Sequence, residues 1–186
     1  MQANSARAGK GIAGFTMVEL VVVIILLGVL AATALPRFLN VSSEASAAAI
    51  RSLEGALRTA VGFAKMEDYL AGGRGEPVDF NGNTITFIEG NPRRDARQMR
   101  FLLNTRLPSS VFTPNWSTIP CSGAEFCLVG NRPFSDPTLP SIPGFTSGTG
   151  IFLWPDGYVL ADCFVYYLNL AVEGSEPLVG SDTSGC

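Results

Sequence analysis

The stretch "GFTMVELVVVIILLGVLAATALPRFL", residues 14 to 39, decides the architecture of this chain. Its apolar run Leu20–Leu35, interrupted only by Thr33, is about 24 Å long as a helix, because a helix rises about 1.5 Å per residue. Starting at Phe15 lengthens the helix to about 31 Å, which matches the roughly 30 Å hydrocarbon core of a bilayer. Glu19 then lies inside the span. Because a charged group there is costly, we expect Glu19 to have a function and a specific partner.

A second periodic pattern follows without a break in helical phase. Apolar residues recur at steps of three and four and so share one helical face: Ile50, Leu53, Leu57, Val61 and Ala64. We therefore predict one long helix from Phe15 to about Tyr69, apolar all round in its first half and amphipathic in its second. Gly72-Gly73 is its predicted stop. Gly28 and Pro36 are its weak points, since glycine lowers helix propensity and proline removes a backbone donor.

Composition restricts the classes of function that the chain can have. Its 186 residues include 13 basic and 16 acidic residues and no histidine. The missing histidine excludes Ser-His-Asp and Cys-His nucleophile pairs and the usual zinc sites that contain histidine. From Leu107 onward only Arg132 is basic, against seven acids, so this part has no general attraction to nucleic acid. We therefore do not expect an enzyme, a cofactor or a metal site.

Four cysteines, Cys121, Cys127, Cys163 and Cys186, all lie outside the apolar segment. An even number of cysteines outside an apolar segment indicates two disulfides formed in an oxidising compartment. Three connectivities are open, and distance along the chain favours Cys121–Cys127 with Cys163–Cys186. A zinc site is the alternative, but the chain has neither C-x-x-C spacing nor histidine to support it.

A secretory signal peptide is an alternative interpretation of the N-terminal region. A basic leader precedes the apolar run, and Ala32-Thr33-Ala34 fits a small-x-small cleavage site. The product would be a secreted or membrane-anchored binding protein or enzyme cut after Ala34. Three features oppose this interpretation: Glu19 interrupts the apolar region, Gly14 offers a small-residue site on the other side of it, and the helical pattern continues beyond it.

Short β-like segments predominate after the long helix. "TITFIE" at residues 84–89 alternates in polarity after the turn-forming Asn81-Gly82, which predicts a strand. Two apolar runs flank Pro155-Asp156-Gly157, which predicts a hairpin packed on the amphipathic half of the helix. The segment 108–148 is rich in Pro, Ser, Gly and Thr and is interpreted as a long surface connection stapled by the first cysteine pair.

The segment "RRDARQMR", residues 93–100, is the strongest basic cluster. Arg93, Arg97 and Arg100 are spaced to share one face of a helix that starts after Asn91-Pro92. Such a face suits DNA or another anionic surface, but it equally suits solvent or an acidic neighbour. No aromatic residues are interleaved with the arginines, which argues against nucleic acid. We assign the aromatic residues of the hairpin to core packing rather than to a carbohydrate platform: Phe164, Tyr166 and Tyr167.

The N-terminal motif resembles that of a known family. A basic leader ending in Gly14, then "FTMVEL" at residues 15–20 and an unbroken apolar run, resembles the processing site of type IV prepilins. The helix with Gly28 and Pro36 is similar to that of type IVa pilins. "ALPRFLN" and its spacing to the alanine-rich half also resemble mannose-sensitive haemagglutinin-type pilins.

The resemblance implies an α+β fold with one long N-terminal helix. The apolar half of the helix protrudes, and the amphipathic half packs on an antiparallel β-sheet head. Residues 1–14 are then a cleaved leader, residues 15–36 the transmembrane and filament-core helix, and residues 37–186 the globular head with the second half of the helix.

The resemblance also implies a processing step. A membrane aspartic peptidase, the prepilin peptidase, cuts between Gly14 and Phe15 and then N-methylates Phe15. Arg7 and Lys10 keep the leader in the cytoplasm by the positive-inside rule, and the apolar helix holds the subunit in the inner membrane.

Assembly follows processing in this family. Inner-membrane assembly machinery polymerises the subunit with other pilins into an extracellular filament that serves adhesion, motility or surface attachment. Glu19 meets the new amino group of Phe15 in a neighbouring subunit, and the helix unwinds locally between Gly28 and Pro36. The loop bounded by the C-terminal cysteine pair lies on the filament surface. A type II secretion pseudopilin and a minor pilin are the alternatives within the family. The two expected disulfides favour a surface-exposed pilus subunit over a periplasmic pseudopilin.

Overall fold

The computed structural model describes residues 14–103, 116–145, 148–170, 172 and 174–186, with the backbone alone for residues 35–40. The chain divides into two compact units, residues 1–42 and 43–186. A long apolar helix is followed by short strands, a second helix and a four-stranded antiparallel sheet, which confirms the predicted α+β class.

Helix α1 comprises the 54 residues Met17–Leu70 and ends at the predicted glycine pair. The backbone N–H of Gly73 donates to the carbonyl of Asp68 at 2.8 Å, and that of Gly72 donates to Tyr69 at 3.1 Å. The φ angles of Gly72 and Gly73 are 112° and 63°. Residues with a Cβ rarely adopt these angles, so glycine is the residue type that lets the chain turn away here.

The amphipathic second half of α1 buries the predicted stripe. Ile50, Leu57 and Ala64 have no exposed surface, and the other two stripe residues are 5% exposed. They form one core with side chains of the sheet, including Leu153 and Tyr167. Burial of this apolar face stabilises the helix on the sheet.

Two small β-hairpin-like pairs follow the helix. β1 (Val78–Phe80) pairs with β2 (Asn83–Ile85) around Asn81-Gly82, and β3 (Phe87–Ile88) pairs with β4 (Asn91–Pro92). The prediction of a single strand over residues 84–89 is therefore wrong.

The break between β2 and β3 lies at Thr86. Its backbone N–H donates to Gln98 Oε1 at 3.1 Å, and Gln98 Nε2 donates to Thr86 Oγ1 at 2.7 Å. A side chain of the second helix therefore takes the place of a strand partner at this residue.

The second helix, α2, comprises Ala96–Leu103 and begins later than the sequence predicts. Asn91 and Pro92 belong to β4, so the predicted helix start there is wrong. Asp95 is the N-cap, since its Oδ1 accepts a hydrogen bond from the backbone of Arg97 at 2.8 Å.

The main sheet contains four antiparallel strands in the order β5-β6-β7-β8: Phe126–Pro133, Thr149–Pro155, Phe164–Asn169 and Leu178–Asp182. β6 and β7 are the two runs of the predicted hairpin, but the connection comprises residues 156–163 rather than a tight turn. This connection pairs instead with an earlier segment. Gly157 N donates to Cys121 O at 2.9 Å, and Leu160 N donates to Trp116 O at 2.9 Å.

The described part of the segment 108–148, residues 116–145 and 148, is not a surface connection, so that prediction is wrong for these residues. It contains β5, and Trp116, Ile142 and Phe145 are buried within it. Residues 104–115 and 146–147 lie outside the described residues. The apolar sequence "FCLVG" of β5 is short, and the Pro, Ser and Gly residues around it give the whole segment the composition of a loop.

Both faces of the sheet are covered, because alternate residues of a strand point to opposite faces. On one face Ile151, Leu153 and Val165 join the core that contains α1. On the other face Phe152 and Trp154 join a second core, which is completed by the segments around Trp116 and Phe145. The sequence pattern predicted the first of these cores but not the second.

Candidate functional site

The helical segment Met17–Ala34 is long and apolar enough to cross a membrane by length and composition, and none of it is buried inside the chain. Its large apolar side chains are 45–71% exposed from Val18 to Leu30. A signal sequence near an N-terminus passes the same test. Exposed apolar surface of this extent is unfavourable in water, so the segment requires lipid or another protein surface around it.

The residues that precede the helix include the predicted cleavage site. Residues 14–16 are not helical, and Phe15 is 85% exposed. A Cβ built on Gly14 meets no atom within 4 Å. The Gly14–Phe15 peptide bond is therefore accessible on the described part of the chain. The leader residues Arg7 and Lys10 lie outside the described residues.

Glu19 caps the helix on which it lies. Its Oε2 accepts hydrogen bonds from Thr16 N at 3.0 Å and from Thr16 Oγ1 at 2.9 Å. In return, Thr16 Oγ1 accepts a hydrogen bond from Glu19 N at 3.2 Å. This reciprocal pair is a capping box, with Thr16 as N-cap and Glu19 three residues later. The helix therefore begins at Met17 rather than at Phe15.

This cap is absent from the sequence-based predictions, although its signal is present. A threonine followed three residues later by glutamate, directly before an apolar run, is the capping-box signature. The carboxylate also lies at the positive end of the helix dipole, which favours its charge. Glu19 therefore has partners within its own chain, and these partners use only one of its two carboxylate oxygens among the hydrogen bonds of the described residues.

Gly28 and Pro36 both lie inside α1, which is continuous through them. A Cβ built on Gly28 meets no atom within 4 Å, so no packing among the described residues requires glycine at this position. Glycine still lowers the helix propensity there, and Pro36 cannot donate a backbone hydrogen bond. Local unwinding between the two residues stays a prediction.

The structure joins Cys121 to Cys127 and Cys163 to Cys186. The two disulfides serve different cores. Cys163 belongs to the core shared with α1, while Cys121 and Cys127 belong to the core on the other face of the sheet. The first disulfide thus fixes the segment that pairs with the β6–β7 connection, and the second ties the C-terminal residue to the start of β7.

The predicted arginine face is not formed as a single helical face. Arg97 and Arg100 are on α2, but Arg93 lies before it, and Arg100 stacks on Phe101 at 4.9 Å from the ring centroid. Arg94 Nη1 donates to the backbone carbonyl of Asn169 at 2.7 Å.

The aromatic residues of β7 are mostly interior. Phe164 and Tyr167 are at most 1% exposed, so they do not form a carbohydrate platform. Burial raises the pKa of Tyr167 far above its usual range. Its hydroxyl donates to the carbonyl of Pro92 at 2.6 Å. Among the residues that the structure describes, no group of three or more His, Cys, Asp and Glu side chains could hold a metal ion.

Comparison with known proteins finds one family motif and one curated relative. Residues 9–35 match the family described as "Prokaryotic N-terminal methylation motif". Over 54 residues the chain is 37% identical to the "Type IV narrow pilus major component PilA5" of Thermus thermophilus, a match that covers 29% of this chain and 47% of the relative. The chain thus spans about half the length of the curated relative that it matches. No solved structure matches the chain significantly.

Proposed function

We propose that this chain, a member of the type IV pilin family, is a structural subunit of a type IV pilus. The prepilin peptidase cuts between Gly14 and Phe15 and methylates the new amino group of Phe15. The apolar helix then holds the subunit in the inner membrane, and the inner-membrane assembly machinery polymerises it with other pilins into an extracellular filament. The proposed role is structural and requires no catalysis or cofactor.

One observation carries this proposal: an accessible Gly14–Phe15 bond directly precedes an exposed apolar helix. A helix with no apolar partner among the described residues of its own chain must find one elsewhere. Lipid supplies it before assembly, and the equivalent helices of other subunits supply it inside a filament. Moving from lipid to a helix bundle keeps the apolar surface out of water in both states.

Glu19 is proposed to act between subunits as well as within its own. Its Oε2 is engaged by Thr16, and Oε1 accepts no hydrogen bond from the described residues. Cleavage creates a positive amino group at Phe15, and in a filament this group of a neighbouring subunit would face Oε1. Pairing the two charges lowers the cost of placing each of them in a bundle of low dielectric constant.

The family motif alone does not separate a pilus subunit from a pseudopilus subunit. Disulfides form in the periplasm as well as outside the cell, so their presence alone does not separate the two. Two of them favour the pilus subunit because an extracellular filament is exposed to mechanical stress, which cross-linked heads resist. Filaments sheared from the cell surface should therefore contain the chain. A pseudopilin would stay in the cell envelope under the same treatment.

The mass and N-terminal sequence of the mature chain give the first test. We expect a chain that begins with methylated Phe15. A chain that begins at Leu35 would contradict the proposal and support a secreted protein cut by signal peptidase. An uncut Met1 would contradict it as well.

The second test separates the cap from the contact between subunits. We expect Glu19→Ala and Glu19→Gln to yield subunits that are made, inserted and folded but scarcely assembled. Thr16→Val removes the cap hydroxyl at a cost of about 1 kcal/mol and leaves the Glu19 charge in place, so it should reduce filament mass only slightly. Thr16→Ser preserves the cap and is the matched control.

Filament mass is measured after shearing, with N-terminal sequencing to confirm cleavage in each variant. If Thr16→Val abolishes filaments as completely as Glu19→Gln does, Glu19 acts through the cap alone. Normal filaments from Glu19→Ala would refute the proposed role of Glu19 in assembly.

A further inference from the structure

The four-stranded sheet carries a group of acids at one end. Glu125 precedes β5, Asp156 follows β6, Asp162 lies just before β7, and Asp182 ends β8. The antiparallel register pairs Phe126 with Pro155 and Phe164 with Asp182, so all four positions lie at the same end of the strands. We call this surface the acidic end, defined by Glu125, Asp156, Asp162 and Asp182.

Arginines gather at the opposite end of the same strands. Arg94 donates to the carbonyl of Asn169, the last residue of β7. Arg93 and Arg94 line a cavity of about 320 Å³ together with Asn131 of β5. Arg132 is not part of this surface, because its guanidinium stacks on the ring of Trp116 at 4.8 Å from the ring centroid. We call this surface the basic end, defined by Arg93, Arg94 and Arg97.

Opposite charges at each end are engaged locally. At the basic end, Asp95 caps α2, and the Oδ1 of Asp136 accepts hydrogen bonds from the backbone N–H and the hydroxyl of Thr138. At the acidic end, Arg51 reaches Thr183 Oγ1 at 3.4 Å. These groups reduce the charge of each end but do not reverse it.

The exposed charges of Arg93 and Arg97 at the basic end, and of Glu125 and Asp156 at the acidic end, form no ion pair among the described residues. The ion pairs among the described residues are Arg58–Glu54, within α1, and Lys65–Glu176, between α1 and the segment before β8. Neither Arg93 nor Arg97 is part of one, and neither is Glu125 or Asp156. Exposed apolar residues accompany these charges: Ile119 at the acidic end is 48% exposed, and Leu170 at the basic end is 41% exposed.

We propose that the acidic end of one copy binds the basic end of the next. This inference rests on the proposed polymerisation and names one surface through which it occurs. The two ends are different surfaces, so the contact is heterologous and leaves one free end of each kind. A heterologous contact that does not close into a ring repeats into an open helical filament.

Charge complementarity indicates that a second copy of this chain binds at the basic end. Arg93 and Arg94 line the cavity at the basic end together with Asp95, whose carboxylate is engaged as the N-cap of α2. Guanidinium groups bind carboxylates with directed hydrogen bonds. The acidic end of another copy presents the exposed carboxylates of Glu125 and Asp156. Exposed ion pairs are individually weak and are screened by salt, so this contact sets the orientation of neighbouring heads, while the apolar helices provide most of the affinity.

Charge reversal and charge exchange test the contact in cells that assemble the full chain. The basic-end variant is R93E/R97E, and the acidic-end variant is E125K/D156K. Each places like charges opposite each other, so we expect at least about a tenfold loss of sheared filament mass in each. A chain with all four substitutions restores opposite charges and should recover most of the filament mass.

Two controls accompany these variants. R74E/E76K reverses two charges in the segment between α1 and β1, neither of which belongs to the acidic end or the basic end, and should assemble normally. Immunoblots of the membrane fraction, with and without reductant, check that each variant is made and forms its disulfides.

The outcomes separate this inference from the proposed function. Normal filaments from R93E/R97E or from E125K/D156K would overturn the contact and leave the pilin proposal standing. Loss of filaments in both, without recovery in the combined variant, would also overturn it, because the two surfaces would then not meet each other. A wild-type chain that never enters filaments would overturn the proposed function itself.

Discussion

Removing the two disulfides separately should lower the stability of the head by unequal amounts. The perturbations are C163A/C186A and C121A/C127A. Alanine is the suitable replacement because Cys163 and Cys121 are each 1% exposed, and serine would place a hydroxyl without a partner in a core. Each variant leaves the other disulfide intact.

The expected magnitudes follow from the sequence separation of each pair. A cross-link stabilises mainly by restricting the unfolded chain, and its effect grows with the length of the loop that it closes. The separation of 23 residues between Cys163 and Cys186 gives about 3.4 kcal/mol. The separation of 6 residues between Cys121 and Cys127 gives about 2.2 kcal/mol. Either loss is a large fraction of the roughly 5–15 kcal/mol that stabilises a typical domain.

Tryptophan fluorescence during a urea titration measures the unfolding of the head alone. Both tryptophans of the chain, Trp116 and Trp154, belong to the second core, and the apolar helix contains none. The full chain is kept in detergent micelles so that this helix stays covered. With a denaturant slope of about 2 kcal/mol/M, the midpoint should fall by about 1.7 M for C163A/C186A and by about 1.1 M for C121A/C127A.

Reductant provides the internal control, since it should lower the wild-type midpoint by more than either double substitution does. A larger shift for C121A/C127A than for C163A/C186A would refute the loop-closure argument. That result would show instead that the dominant effect of Cys121–Cys127 is to hold the segment around Trp116 against the second core.

Two further predictions concern the second half of α1. Leu57→Ala should lower the free energy of unfolding by about 2–5 kcal/mol because Leu57 has no exposed surface. Phe63 lies on the opposite face and is 56% exposed, so Phe63→Ala should change that free energy by about 0.5 kcal/mol or less. Equal shifts of the midpoint in the same urea titration would contradict the assigned faces. The pKa of Glu54 is held below its usual value by the hydrogen bond from Ser181, with a further contribution from Arg58. Because the folded-state pKa is lowered, Glu54 stabilises the head above its unfolded-state pKa of about 4.3, and this stabilisation is lost as the pH falls through the folded-state pKa. Glu54→Gln should therefore lower the urea midpoint at pH 7 and have a diminishing effect below about pH 4.3, and a difference that persists unchanged at pH 3 would exclude this linkage.

The helix was predictable because its signals are local. The stripe from Ile50 to Ala64 repeats at helical spacing over four turns, and the structure buries every member of it. The stop at Gly72-Gly73 follows from backbone conformations that glycine alone adopts easily. Neither inference needs knowledge of where the rest of the chain lies.

The errors concern contacts between residues distant in sequence. The strand predicted over residues 84–89 is divided at Thr86, because Gln98, twelve residues away, bonds its backbone N–H and hydroxyl, and the backbone N–H of Arg93 donates to its carbonyl. β5 is a strand because β6 pairs with it, and its sequence "FCLVG" is too short to indicate this within a segment rich in Pro and Ser. Sheet pairing is set by non-local partners, which a single sequence does not display.

Glu19 has one interaction within its own chain, the capping box, and one proposed interaction with a neighbouring subunit, and the first supports the second. The cap gives the carboxylate hydrogen bonds from Thr16 at the start of the apolar helix, so the subunit tolerates the charge before any neighbour is present. The same bonds hold the carboxylate in one orientation and leave Oε1 without a hydrogen bond from the described residues. A carboxylate that is already oriented loses less conformational entropy when a partner binds. The capping box would therefore prepare Glu19 for the proposed contact with the next subunit. For this reason Thr16→Val should weaken assembly slightly, whereas Glu19→Gln should leave the subunit scarcely assembled.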